Sequence, residues 1–95
     1  MTYSVKFSAS AEKEWNKLDS VVQRQFAKKL VQRLENPRVK ADKLRNMDDC
    51  YKIKLKAVGY RLVYQVIDDV LIIRVVAVGK RNRSEVYTVA QSRLL

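Results

Sequence analysis

There is no histidine in this chain. Its absence removes the commonest general base near neutral pH and the commonest metal ligand. No Ser-His-Asp or Cys-His catalytic set is possible without it. A single cysteine, Cys50, leaves no partner for an internal disulfide and no Cys-rich zinc site, which fits a reducing compartment. The only glycines, Gly59 and Gly79, are too few and too far apart for a phosphate-cradling loop. Acidic residues are scarce, 10 against 20 basic ones, and scattered. The pair Asp68-Asp69 falls in a turn, so a two-metal nuclease centre is not expected. The longest apolar stretch, Val70 to Val78, is too short to span a bilayer and carries Arg74. The opening MTYSVKFSAS has no apolar run suited to a secretory signal. These absences point to a cytoplasmic protein with no membrane segment, no metal site and no cofactor.

What remains is a strongly cationic domain. The formal net charge is +10, yet 47% of the 95 residues are hydrophobic, which excludes a disordered basic tail. At this length one core is expected, a single domain over residues 1–95, burying roughly 60–65% of its unfolded surface.

Tyr3, Val5 and Phe7 alternate with polar residues and predict a first strand. Ser10 is the expected N-cap of a helix carrying Glu12 and Glu14 in its first turn and Trp15 and Leu18 on its apolar side. Ser20 is the expected cap of a second helix, whose Val22, Phe26, Leu30 and Leu34 form an inward stripe. Asn36-Pro37, at the chain's one proline, closes it. The two helices form an αα-hairpin. Residues 38–49 are polar and irregular, with Leu44 and Met47 as anchors. Strands follow over Cys50–Leu55, Tyr60–Ile67 and Val70–Val78, joined by a four-residue loop ending at Gly59 and a two-residue turn at Asp68-Asp69. A short helix begins at Ser84 and runs to about Leu94.

The loop lengths set a register. Lys54 falls opposite Arg61, Arg61 opposite Val76, and Val63 opposite Arg74. One sheet face then reads Tyr51, Ile53, Leu55, Tyr60, Leu62, Tyr64, Val66, Leu71, Ile73, Val75 and Ala77, a surface for the hairpin to cover. The other face carries Lys52, Lys54, Lys56, Arg61, Gln65 and Arg74 among Val63, Ile72 and Val76. A cationic row with no interleaved acid suits a polyanion, above all nucleic acid.

Such a face supports metal-free RNA cleavage in principle. The 2′-hydroxyl attacks its own phosphate and needs a base, an acid for the leaving 5′-oxygen and cations for the charged transition state. Lysine serves as a base when like charges lower its pKa, and Lys54 has Lys52, Lys56 and Arg61 around it. Arginine offers forked phosphate contacts, and Tyr87 a ring for base stacking. A basic strand face is more often a binding or solvated surface than a catalytic one, and composition leaves these alternatives open. Trp15, Tyr60, Tyr64 and Cys50 read as packing residues, and Glu85 as a first-turn residue within reach of Arg81.

The run KLRNMDDCYKIKLKAVGYRLVYQVID at 43–68, with VGKRNRSEVY at 78–87, resembles the RelE toxins of the RelE/ParE superfamily; KEWNKL at 13–18 and LENPR at 34–38 are similar too. The resemblance spans essentially the whole chain. It implies an α+β fold of the RelE-like microbial RNase type: an N-terminal strand, an αα-hairpin on a mainly antiparallel four-stranded sheet, and a short C-terminal helix. It also implies a ribosome-dependent endoribonuclease that cuts the mRNA codon in the ribosomal A site, without metal, leaving a 2′,3′-cyclic phosphate. The family's functional positions fall on Lys52, Lys54, Arg61, Arg81 and Tyr87. By that analogy Lys54 is the base, Arg81 serves the leaving oxygen, Lys52 and Arg61 stabilise the phosphorane, and Tyr87 orients the substrate. Arg45, Lys80 and Arg83 are the further RNA contacts expected. Implied partners are a RelB-like antitoxin, A-site mRNA with small-subunit ribosomal RNA, and operator DNA through the antitoxin complex. The alternatives are a gyrase-directed toxin of the ParE branch and a non-catalytic nucleic-acid-binding module.

Overall fold

A computed structural model describes residues 2–80 and 85–94. Strand β1 (Ser4–Phe7) leads into helices α1 (Ala9–Asn16) and α2 (Ser20–Arg33). Strands β2 (Cys50–Leu55), β3 (Tyr60–Ile67) and β4 (Ile72–Lys80) follow, then helix α3 (Glu85–Leu94). The described sheet has the order β1-β4-β3-β2, parallel between β1 and β4 and antiparallel elsewhere. This is the expected mainly antiparallel α+β arrangement.

Both helix starts lie upstream of their expected caps. Ser8, not Ser10, caps α1: its Oγ accepts from the Ala11 N–H at 3.1 Å, while its own N–H donates to the Val75 carbonyl at 3.0 Å. One residue thus ends β1 and opens the helix. Asp19, not Ser20, caps α2, its carboxylate accepting from Val21 and Val22 at 2.9 and 3.0 Å. A carboxylate there answers two orphan N–H groups and carries the charge that a helix N-terminus favours. Glu14 falls beyond the first turn, since α1 begins at Ala9. Helix α2 stops at Arg33, three residues before Asn36.

The helices lie on one face of the sheet. Val22, Phe26 and Leu30 are buried there against Tyr51, Ile53, Leu55, Leu62, Tyr64, Val66, Ile73, Val75 and Val78. Trp15 links the layers, its ring centroid 5.2 Å from Phe7 and 6.2 Å from Phe26. The Tyr64 hydroxyl donates to the Pro37 carbonyl at 2.6 Å and accepts from Arg33 at 2.8 Å, tying the 34–42 segment to β3. Arg38 bridges Asp49 and Asp68 at 2.9 and 2.7 Å and pins the turn at the far end of the sheet.

The opposite face holds a second core, where Val86 and Ala90 of α3 and Leu44 and Met47 of the loop before β2 cover Cys50, Val63, Val76 and Ala77. Cys50 is buried, and burial pushes its thiol up to about 11, so it packs as a small apolar group.

The β2–β3 register is as expected, with Lys54 opposite Arg61 and Gly59 at φ 71° closing the loop. The β3–β4 register differs. The turn is not two residues long: Asp68–Val70 forms a 3-10 turn, Leu71 is left-handed at φ 53°, and Ile67 faces Ile72. A two-residue hairpin turn needs positive φ at both central positions, which Asp-Asp supplies poorly. The longer turn shifts pairing by two residues, which leaves the faces of Ile73 and Val75 unchanged. A bulge then inserts Val76 between the pairs Tyr64–Val75 and Val63–Ala77. This one-residue slip moves Val78 to the hairpin face and Ala77 to the other. Arg61 therefore faces Gly79, not Val76, Val63 faces Ala77, not Arg74, and β4 runs over 72–80 instead of 70–78.

Candidate active site

The sheet presents Lys52 and Lys54 from β2 and Arg61 from β3 on the face that α3 partly covers, and Lys56 follows in the loop after β2. Alternation along β2 sends Tyr51, Ile53 and Leu55 into the hairpin core and Lys52 and Lys54 the other way. The lysine spacing is therefore a by-product of building one apolar strand face. The pairing of Lys54 with Arg61 brings the fourth cation across the strand gap.

Lys54 sits at the centre of this cluster and its pKa lies below the ordinary lysine value. The ammonium of Lys52 is the main cause; partial desolvation, Arg61 and Lys56 add to it. A depressed lysine releases its proton more readily, which is what a general base for a ribose hydroxyl needs.

Tyr87 reaches the cluster from α3. Arg61 Nη1 donates to its hydroxyl at 3.0 Å, and the guanidinium carbon lies 5.5 Å from the ring centroid. Tyr87 is half-buried, so part of the ring remains available to a base. Position 87 follows the buried Val86 on a helix whose apolar line is Val86–Ala90, and that offset places the tyrosine beside β3.

Arg45 rides on the loop anchored by Leu44 and Met47, on the same side of the sheet as α3, and is exposed. Lys43 closes that loop by donating to the Leu44 and Met47 carbonyls at 3.1 and 2.9 Å. Lys80 is placed elsewhere. It faces Tyr60 in the register, its ammonium lies 6.0 Å from that ring's centroid, and so it is not beside Lys54. Arg81, Arg83 and Ser84 lie outside the described residues, and with them the expected Glu85–Arg81 pairing. No cluster of His, Cys, Asp or Glu among the described residues fits a metal ion. No described helix is long and apolar enough to cross a membrane.

Two residues near this site carried no functional signal in the sequence. Arg93 at the end of α3 forms a two-pronged ion pair with Glu14 of α1, at 2.9 and 3.0 Å. The partners are 79 positions apart, and Glu14 reads as an ordinary early-helix acid. Only the fold brings them together.

Chemically, the arrangement offers a depressed lysine, the further cations Lys52, Lys56 and Arg61 grouped around it, and an aromatic ring held against Arg61. Residues 5–85 match the family described as the ParE toxin of the type II toxin–antitoxin system parDE. The chain is similar, at 58% identity over 95 residues covering all of both chains, to the mRNA interferase toxin RelE of Escherichia coli K12. The fold matches that of a mutant E. coli toxin RelE in the free state with TM-score 0.92 and 56% identity over the whole of both chains. It also matches a chain of the intact E. coli RelBE toxin–antitoxin complex with TM-score 0.82 and 57% identity, covering 85% of this chain and 99% of that one.

Proposed function

This chain belongs to the RelE/ParE family of type II toxins, and from that premise we propose that it is an mRNA endoribonuclease acting on the codon in the ribosomal A site. The observation that carries this reading is the depressed Lys54, centred among Lys52, Lys56 and Arg61 and flanked by Tyr87. A full-length relative bearing the name mRNA interferase supports it.

In the proposed reaction neutral Lys54 takes the proton of the 2′-hydroxyl. The 2′-oxygen forms a bond to phosphorus, the bond to the 5′-oxygen breaks, and a 2′,3′-cyclic phosphate results. Lys52 and Arg61 balance the charge on the equatorial oxygens. Arg81 stabilises or protonates the departing 5′-oxygen. Tyr87, oriented by Arg61, stacks on the substrate and holds the attacking hydroxyl in line. Arg45, Lys80 and Arg83 contact RNA outside the reacting phosphate. On this reading the ribosome presents the mRNA codon to the cationic face. The protein works in the cytoplasm, is neutralised by a RelB-like antitoxin and meets operator DNA through that complex.

Primer-extension mapping of an mRNA programmed on purified ribosomes tests this. A cut inside the A-site codon, absent on naked RNA, insensitive to chelator added after assembly and lost in Lys54→Ala, is the expected result. No cut on either substrate overturns it. The family description favours one competitor, a gyrase-directed toxin of the ParE branch. That reading predicts arrested replication with translation intact and gives Lys52, Lys54 and Arg61 no reason to converge.

A further inference from the structure

Helix α3 carries Tyr87 and lies over the second core, with Tyr87, Val89 and Leu94 packed partly buried against it. Its ten residues are too few for independent stability, and its buried residues are Val86 and Ala90. These stand one turn apart along the contact line, and the roll of the helix about that line decides where its flanking side chains point. At about 100° per residue, Tyr87 and Arg93 project to opposite sides of that line. A roll of about 10° swings a side-chain tip ~6 Å from the axis by about 1 Å.

Both sides are tethered. On the β3 side Arg61 holds the Tyr87 hydroxyl. On the far side Arg93 forks onto Glu14 and also donates from Nη1 to the Val76 carbonyl at 2.8 Å. Glu14 in turn accepts from the Val78 N–H at 3.1 Å. β1 reaches only Val75 in its pairing with β4, so this clasp uses backbone groups beyond β1's end. Val76 is the residue the bulge inserts, and its carbonyl is the one Arg93 takes. At the other end of α3, Gly79 lets the helix approach closely, since a Cβ there would lie 3.0 Å from Val86 Cγ2.

We propose that Arg93 and Glu14 are a positioning pair that fixes the roll of α3 and thereby places Tyr87 against Arg61. The inference deepens the endoribonuclease reading and rests on it for its catalytic consequence. The pair touches no substrate and acts through Tyr87. Arg93 is needed as arginine, because a guanidinium can fork onto the carboxylate while also reaching the Val76 carbonyl, and an ammonium meets these groups only as a point donor.

The test is single-turnover cleavage on programmed ribosomes by Arg93→Ala, Arg93→Lys and Glu14→Gln, each alone and in a Tyr87→Ala background. Arg93→Ala and Glu14→Gln are expected to slow cleavage about 10- to 100-fold, with the ribosome concentration for half-saturation little changed. Arg93→Lys recovers part of the loss. In the Tyr87→Ala background the same changes have less than about a 2-fold further effect. Equal losses with and without Tyr87, or no loss at all, would overturn the proposal. Amide hydrogen exchange over 86–94 reads the clasp without activity: Arg93→Ala should speed exchange there while thermal unfolding of the sheet is little changed. Unchanged exchange overturns the proposal. A wild-type protein that fails to cleave removes the endoribonuclease reading but leaves this exchange result to stand or fall separately.

Discussion

Lys54 shows how much of a site can follow from a single pattern. Alternation in CYKIKL makes one strand face apolar and puts the ammonium groups of Lys52 and Lys54 on the other, with Lys56 just beyond the strand's end, so that they crowd one another. Lys52 is the largest contributor to the lowered pKa of Lys54. Cleavage by a lysine base should therefore rise with pH and level off below the range of an ordinary lysine. Lys52→Ala removes the main like charge, so the Lys54 pKa should rise and the pH–rate profile move to higher pH, besides any loss of plateau rate. An unshifted profile would mean that Lys54 is not the titrating base. Tyr87→Phe keeps the ring and drops the bond from Arg61; a rate near wild type would assign Tyr87 to stacking, and a large loss would assign it to alignment. The lysine row was legible because it lies within a short, patterned segment, whereas Tyr87 was singled out through the family resemblance. The role of Glu14 was not legible, since its partner is set by three elements meeting in space.

At the scale of elements, strand identity was read more securely than what happens at strand ends. Strands β2 and β3 match their expected limits, because their alternation is unbroken and Gly59 punctuates the loop. The helices begin earlier than Ser10 and Ser20 imply because Ser8 and Asp19 are also residues able to cap, and the chain turns into helix at them. The bulge at Val76 left no mark in IIRVVAVGK, where apolar residues fill both faces and a slip changes no burial preference. Asp19→Ala should cost about 1 kcal/mol of stability in denaturant unfolding, through loss of two bonds to helix N–H groups. Gly79→Ala acts differently. The new methyl group meets Val86, so α3 should shift and cleavage fall by more than the loss of stability alone explains. Thermal unfolding measured beside cleavage separates the two.

The molecule as a whole is a sheet with two unequal faces. One is sealed by the hairpin; the other is shared between α3, an anchored loop and a bare row of cations. Binding to a polyanion through that row releases counterions, so affinity should fall steeply with salt. Lys56→Ala should lessen the slope of log affinity against log salt by about 0.7–0.9, the increment for one phosphate contact. An unchanged slope would place Lys56 outside the contact.

The same lysines have a second consequence, which comes from the position of β2 at the margin of the described sheet. The loop before β2 covers the strand's start, Lys43 bridging Tyr51, but an outer strand edge beyond such cover is a template on which another copy can lay its own strand, the first step towards aggregates. If two copies met antiparallel along β2, lysines would confront lysines on the shared face, and that repulsion keeps the molecules apart. Charge neutralisation on this strand would therefore compromise solubility as well as chemistry. A variant with all three lysines replaced by alanine should be prone to self-association at concentrations where the wild-type protein stays monomeric.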